Sequence, residues 1–84
     1  MYDVYLEKAA ERDLKRLQPK IFQQIIFHIK GLVDTPRPSG CHKIAGTKSD
    51  WRIRIGDYRV IYVIDDKAKV IKVMRVRHRR EVYR

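Results

Sequence analysis

The residues best suited to chemistry in this chain are arginines on two consecutive predicted strands. Arg52 and Arg54 stand two residues apart in a segment, residues 51–55, that alternates apolar and charged side chains. On a strand, this spacing places both guanidinium groups on one face, about 7 Å apart. A tight turn at residues 56–57 then brings Arg59 of the next strand alongside them. Guanidinium forks bind phosphate oxygens through paired hydrogen bonds and keep their charge, so the pattern predicts a phosphate-binding surface.

A second basic cluster lies near the end of the sequence. It combines four arginines with a histidine and a tyrosine: Arg75, Arg77, His78, Arg79, Arg80 and Tyr83. Several guanidinium groups around one phosphate would stabilise the pentavalent transition state of phosphodiester cleavage. A neighbouring tyrosine can stack on a nucleobase. Among these groups only the imidazole of His78 exchanges a proton readily near neutral pH, so we expect it to act in proton transfer, as base or acid.

Less specific explanations exist for each of these residues. Arginines at alternate strand positions are most often a solvated sheet face, because charged side chains mostly stay exposed. Arg59 differs, since it interrupts a nearly all-apolar strand, where a charge is costly to bury unless it is used. The other two histidines lack an arginine-rich setting. His28 falls in the middle of a predicted helix, and His42 flanks a loop with no ligand partners at useful spacing.

The elements that must position the arginines follow from the hydrophobic spacing. Apolar positions predict a strand over residues 2–6 and helices over residues 7–17 and 19–33, joined so closely that they must form an antiparallel hairpin. A loop rich in proline covers residues 34–40. The period then changes to two, which predicts strands at residues 42–45, 51–55, 58–64 and 70–76, with Trp51 in the core, and a charged tail after them. This order predicts one α+β domain over residues 1–84, with the helical hairpin on one face of a mainly antiparallel sheet and the arginines on the other.

The charge balance restricts the partners. The chain has 84 residues, with 20 basic and 10 acidic side chains and a net charge of +10. Residues 43–84 contribute 13 of the basic and 5 of the acidic groups. Such an excess implies a polyanionic partner, namely nucleic acid, an acidic protein or an anionic membrane. The sequence shows neither the pattern of a membrane span nor that of a signal peptide, and one cysteine forms no internal disulfide or zinc site. We therefore expect a cytoplasmic protein with no membrane partner, no metal and no cofactor.

Two segments together resemble the toxins of bacterial and archaeal toxin–antitoxin pairs, the RelE/ParE superfamily. They are WRIRIGDYRVIY at residues 51–62 and VRHRREVY at residues 76–83. The likeness covers nearly the whole chain, including the loop at residues 34–40 and KIAG at residues 43–46. It implies a RelE-type endoribonuclease that enters the ribosomal A site and cuts mRNA, with the ribose 2′-hydroxyl as nucleophile and without a metal. It also implies an acidic RelB-type antitoxin that masks the basic face.

The resemblance assigns roles by position. The catalytic set that it implies is Arg52, Arg54, Arg59, His78, Arg79 and Tyr83. In that set Arg59 and Arg79 stabilise the phosphorane, Arg79 also lies near the leaving 5′-oxygen, and Tyr83 stacks on a base. We expect further RNA contacts from Arg75, Arg77, Arg80 and Lys43. The family often has lysines where Arg52 and Arg54 stand, and because arginine hardly deprotonates, the proton-transfer role points towards His78.

Two other functions compete with RNA cleavage. A ParE-type toxin of the same fold would poison DNA gyrase without cutting RNA, although members of that type typically lack the full set of arginines with His78 and Tyr83. A plain nucleic-acid-binding domain would need only the net charge.

Overall fold

The computed structural model describes residues 1–47 and 49–82, and within them a mixed sheet carries the helices. The elements in chain order are β1 (Asp3–Leu6), α1 (Lys8–Lys15), α2 (Pro19–Gly31), β2 (Cys41–Lys43), β3 (Asp50–Ile55), β4 (Tyr58–Asp65), β5 (Val70–His78) and α3 (Arg79–Val82). The five strands of the sheet lie in the order β1-β5-β4-β3-β2. β1 runs parallel to β5, and the other neighbouring pairs are antiparallel. The predicted α+β class with a mainly antiparallel sheet is thus confirmed.

The two longer helices pack on the sheet through the apolar positions that predicted them. Ala10 and Leu14 are the buried residues of α1. α2 begins with Pro19, whose fixed φ angle suits the first turn, and it buries Ile25 and Ile29. These four residues join the buried side chains of β3, β4 and β5 in one core. In the described part of the chain, no helix is both long and apolar enough to cross a membrane.

The central strand β4 anchors the loop that follows α2. Tyr62 is fully buried, and its hydroxyl donates a hydrogen bond of 2.9 Å to the carbonyl oxygen of Pro36. Burial raises the pKa of Tyr62, which keeps the phenol in its donating form. Trp51, predicted as a core residue, is half-buried and packs against the core, and the Arg37 guanidinium lies 5.0 Å from the centre of its ring. The same guanidinium pairs with Asp66 at 2.8 Å, so this loop is fixed across the end of the sheet.

Several boundaries differ from the predicted ones. β2 spans Cys41–Lys43 rather than residues 42–45, because the chain turns at residues 45–46, where Gly46 has a φ of 84°. β5 continues to His78 rather than ending at residue 76, and the charged tail begins with the short helix α3. Hydrogen bonds to the β3–β4 turn and to His78 explain this helix, since the Arg79 N–H donates to the Asp57 carbonyl at 2.7 Å and the Arg80 N–H donates to His78 Nδ1 at 3.2 Å.

An aspartate takes the place of a strand partner along one edge of β5. β1 ends at Leu6, opposite Val73, so the edge of β5 beyond that point needs another acceptor. The Asp13 carboxylate of α1 accepts the Val76 N–H at 2.9 Å and the Arg75 Nε–H at 2.8 Å. Burial alone would raise the pKa of Asp13, but the hydrogen bonds from Arg75 and Val76 and the nearby positive charges outweigh it and lower the pKa.

Candidate functional site

Three arginines form a row across the middle strands of the sheet. The register pairs Arg54 of β3 with Arg59 of β4, and Arg59 in turn with Arg77 of β5. Partners in an antiparallel pair project from the same face, and alternation places this arginine row on the face away from the two longer helices. The sequence prediction that the arginines share the free face is therefore met for these residues. Directly opposed like charges destabilise a sheet, and the Glu81 carboxylate near Arg77 offsets part of this cost.

An open cleft of about 640 Å³ lies at one end of this row. Its walls come from β2, β3, β4 and the turns that flank them, through Gly40, His42, Arg52, Arg54, Gly56, Asp57 and Arg59. We call it the arginine cleft. Its volume lies in the range of ordinary ligand sites, and three guanidinium groups around it favour a phosphate-containing ligand.

The β3–β4 hairpin fixes the arginines of the cleft. Gly56 has a φ of 60° at the first central position of the turn, a conformation that glycine adopts at little cost and that is typical of type II′ hairpins. The Arg54 Nε–H donates to the Gly56 carbonyl oxygen at 3.1 Å, which holds the guanidinium against the turn. The two-residue turn also sets the pairing of Arg54 with Arg59, as the sequence predicted.

Arg59 is the buried member of the set. Only 7% of its surface is exposed, although it is a charged residue. A buried guanidinium lies in a lower dielectric than an exposed one, so its attraction to an anion in the cleft is stronger. The arginine cleft therefore has one preorganised charge at its base, together with Arg52 and Arg54, which lie closer to solvent.

The end of β5 and the start of α3 lie beside the same turn. Arg79 contacts the turn at Asp57 in two ways. Its backbone N–H donates a hydrogen bond to the Asp57 carbonyl, and its Nε lies 3.9 Å from Asp57 Oδ1. Arg79 is thus at the rim of the arginine cleft, because Asp57 is part of its wall. Arg80 is exposed on α3.

His78 lies apart from the arginines of the cleft. It pairs with Tyr58 across β4 and β5, and the two rings meet edge to face with their centres 5.2 Å apart. Tyr58 belongs to the set of residues that pack against the core, on the face opposite the arginine row. Because His78 Nδ1 accepts the Arg80 N–H, a neutral ring carries its proton on Nε2.

The predicted RNA-contacting residues lie in several places. Arg77 belongs to the arginine row, and its Nη2 lies 3.4 Å from a Glu81 carboxylate oxygen. Its Nε is buried and has no hydrogen-bond partner among the residues described. Arg75 is directed to Asp13 at the edge of β5. Lys43 pairs with Trp51 and therefore projects from the face opposite the arginine row.

Tyr83, predicted to stack on a base, lies outside the described residues. Its role stays a prediction.

His42 is the cleft residue that the sequence did not indicate. It pairs with Arg52 across β2 and β3 and so projects from the arginine face. The sequence could have indicated His42 only if the residue at which β2 ends, and therefore its pairing with β3, had been known. An added or lost residue between β2 and β3 would have placed Lys43 on that face instead.

The arginine cleft combines three guanidinium groups that can bind an anion with the imidazole of His42 and the carboxylate of Asp57. Within residues 1–47 and 49–82, no group of three or more histidine, cysteine, aspartate and glutamate side chains is placed to hold a metal ion. The side chains present can bind a phosphodiester, neutralise negative charge that develops on it and exchange protons.

Known proteins were compared with the chain and its structure. A family model described as "ParE toxin of type II toxin-antitoxin system, parDE" matches residues 4–83. Toxin RelG of Mycobacterium tuberculosis is 36% identical over 87 residues, covering 99% of this chain and 97% of that protein. Toxin RelE of the same organism is 32% identical over 84 residues, covering 99% of this chain and 87% of that protein.

A solved structure has the same architecture. The archaeal RelE–RelB complex from Pyrococcus horikoshii OT3 contains a chain that superposes with a TM-score of 0.83 and 31% sequence identity. The match covers 93% of this chain and 94% of that one. The whole sheet and its helices thus have a counterpart in a solved structure.

Proposed function

This chain belongs to the ParE toxin family of type II toxin–antitoxin systems, within the RelE/ParE superfamily, and on that premise we propose that it is a ribosome-dependent endoribonuclease. Its substrate is mRNA in the ribosomal A site, and its activity inhibits translation. The ribose 2′-hydroxyl is the nucleophile, and no metal or cofactor takes part. The observation that carries the proposal is the arginine cleft, with buried Arg59 at its base and Arg52 and Arg54 beside it.

We assign a different role to each arginine of the site. Arg52 and Arg54 hold the scissile phosphate from the solvent side, and Arg59 stabilises the negative charge of the phosphorane from below. Arg79 lies at the rim, where it can neutralise the leaving 5′-oxygen. Preorganised donors of this kind act mainly by electrostatics, since they need no rearrangement when the charge develops.

The remaining predicted site residues contribute at the periphery. Tyr83 stacks on a base of the mRNA, and Arg77 and Arg80 contact neighbouring phosphates. Arg75 and Lys43 supply long-range attraction for RNA, because the first is held by Asp13 and the second projects from the other face. His78 takes part in proton transfer through Nε2, because its Nδ1 accepts the Arg80 N–H, and from the periphery it exchanges protons with water.

The partners follow from the charge and from the relatives. The net charge of +10 suits ribosomal RNA and mRNA in the cytoplasm. It also suits an acidic RelB-type antitoxin, because the similar archaeal chain was solved as a RelE–RelB complex. Such an antitoxin inhibits the toxin by covering the basic face.

A gyrase-inhibiting activity is the second candidate, because the matching family model is named for ParE toxins. Two reactions separate the candidates. A purified ribosomal translation system should lose protein synthesis and yield shortened mRNA when the chain is added, while a gyrase supercoiling assay should be unaffected. Inhibited gyrase with intact mRNA would reject the nuclease and support the ParE-type activity. A chain that bound RNA but changed neither reaction would be a plain nucleic-acid-binding domain.

A further inference from the structure

His42 enters the arginine cleft from β2, the strand at one end of the sheet. It is the direct cross-strand partner of Arg52, and it lines the cleft together with Arg52, Arg54 and Arg59. Facing residues of an antiparallel pair have their Cβ atoms about 5 Å apart. The imidazole therefore lies beside the guanidinium groups that hold the phosphate in the proposed function.

The imidazole of His42 is accessible to a ligand. The residue is exposed, and its ring makes no hydrogen bond to another residue within the described ranges. His78 contrasts with it, since its Nδ1 is occupied by the Arg80 N–H and its ring packs on Tyr58. Of the two, His42 has the ring that can accept a proton from a molecule in the cleft without breaking a contact within the fold.

The other groups that face His42 are poorer proton acceptors. Arg52 and Arg54 face it from β3, and Arg59 faces it from β4. Guanidinium groups stay protonated and cannot act as bases. Asp57, in the turn between these strands, has a carboxylate, which is an intrinsically weaker base than imidazole, and one of its oxygens lies 3.9 Å from Arg79 Nε.

We infer that His42 accepts the proton of the ribose 2′-hydroxyl during cleavage, an inference that rests on the proposed nuclease function. As the proton passes to an imidazole nitrogen of His42, the 2′-oxygen forms a bond to phosphorus. The bond from phosphorus to the 5′-oxygen breaks, and this oxygen takes a proton from water. The products are a 2′,3′-cyclic phosphate and a 5′-hydroxyl, with the phosphorane charge carried by the neighbouring arginines.

The test is the single-turnover rate of mRNA cleavage on programmed ribosomes, measured across the neutral pH range for wild type and His42→Gln. Glutamine keeps a polar side chain of similar reach but accepts no proton. The variant is expected to cleave about 10²-fold more slowly. It should also lose the rise in rate that wild type shows as imidazole gives up its proton with increasing pH. His28→Gln is the matched control, because His28 is exposed on α2 and its ring contacts Phe27 rather than the cleft.

The outcomes separate this inference from the proposed function. If wild type cleaves and His42→Gln matches its rate and pH profile, the role of His42 is overturned while the nuclease function stands. A slower variant with an unchanged pH profile also overturns proton transfer and leaves His42 as a phosphate contact. A wild-type protein that never cleaves ribosome-bound mRNA overturns the proposed function itself.

A second variant guards against loss of folding. His42→Gly removes the ring, and added imidazole should restore part of the rate if proton acceptance is the missing function. Thermal melting of His42→Gln should match wild type, since His42 is exposed on the end strand of the sheet. His42→Gly should melt at a slightly lower temperature, because glycine weakens a strand, but it should still unfold cooperatively. A folded His42→Gly protein that is slow and does not respond to imidazole would count against the inference.

Discussion

Arg54 and Arg59 face each other directly across the β3–β4 hairpin, so two guanidinium groups leave the same face of the sheet from opposed positions. Arg77 extends the arrangement on the other side of Arg59. Like charges in such positions cost stability. We expect an anion bound in the open arginine cleft to reduce this repulsion.

Phosphate should therefore stabilise the protein. We expect inorganic phosphate to raise the melting temperature more than chloride does at equal ionic strength. At a concentration ten times its dissociation constant, the expected gain in unfolding free energy is about 1.4 kcal/mol. Arg59→Gln should lose most of this response, whereas Arg12→Gln, an equal charge change at an exposed position on α1, should keep it. Equal responses of wild type and Arg59→Gln would argue against an anion site at Arg59.

Removal of either of two arginines should slow cleavage while the fold survives. We expect Arg59→Ala and Arg79→Ala each to reduce the rate on ribosome-bound mRNA by about 10²-fold or more, because each removes one preorganised charge. The measurement is a single-turnover time course, with circular dichroism to verify folding. Arg12→Ala provides the control for loss of one positive charge. A folded Arg59→Ala protein with the wild-type rate would show that Arg59 serves the structure alone.

The contact of Asp13 with the edge of β5 should be important for stability. Asp13→Ala removes the acceptor for the Val76 N–H and the Arg75 guanidinium, and a lost charge-assisted hydrogen bond costs about 2 kcal/mol. We expect a fall of about that size in the free energy of unfolding, measured with urea. Asp34→Ala, at an exposed position after α2, should change it little. A variant as stable as wild type would mean that water replaces the carboxylate at no cost.

The same carboxylate should make stability depend on pH in the acid range. The folded protein lowers the pKa of Asp13 below its ordinary value of 3.8, so the unfolded chain binds the proton more readily. Stability from this group is fully present above the ordinary value and is lost as the pH falls through the lower, folded value. The difference in unfolding free energy between wild type and Asp13→Asn should therefore shrink with acidification below 3.8. A difference that stayed constant there would contradict this linkage.

Much of the fold followed from the sequence because the hydrophobic spacing was strong. The strict alternation in β3 and the two-residue turn at Gly56 fixed the pairing of Arg54 with Arg59. The proline at the start of α2 marked that helix correctly. The resemblance to the RelE/ParE superfamily, carried by two motifs, is confirmed by the family match.

The rest depended on contacts that no local pattern contains. The exact pairing of β2 was not predictable, because the connection to β3 had no turn motif of defined length. His42 and Lys43 therefore could not be assigned to faces of the sheet. The helix α3 depends on a hydrogen bond that its Arg79 N–H donates to the Asp57 carbonyl, which is distant in sequence. The partnership of Arg75 with Asp13 joins residues 62 positions apart.

An acidic antitoxin should bind the protein quickly at low salt. The reason is the net charge of +10, most of which lies in residues 43–84. Complementary charge raises the association rate, and salt screens it. We expect the association rate with the product of the adjacent gene, followed by stopped-flow fluorescence, to fall steeply as salt rises while dissociation changes less. Absence of any affinity for that product would contradict the antitoxin partnership.

Primer extension on mRNA bound to programmed ribosomes tests the central claim most directly. The arginine cleft is open and binds phosphate mainly through its arginines, so the substrate needs an outside scaffold to hold it in line for attack. We expect cuts within the A-site codon of ribosome-bound mRNA and weak or no cutting of the same RNA free in solution. Intact mRNA on ribosomes, or equally efficient cleavage of free RNA, would contradict the account.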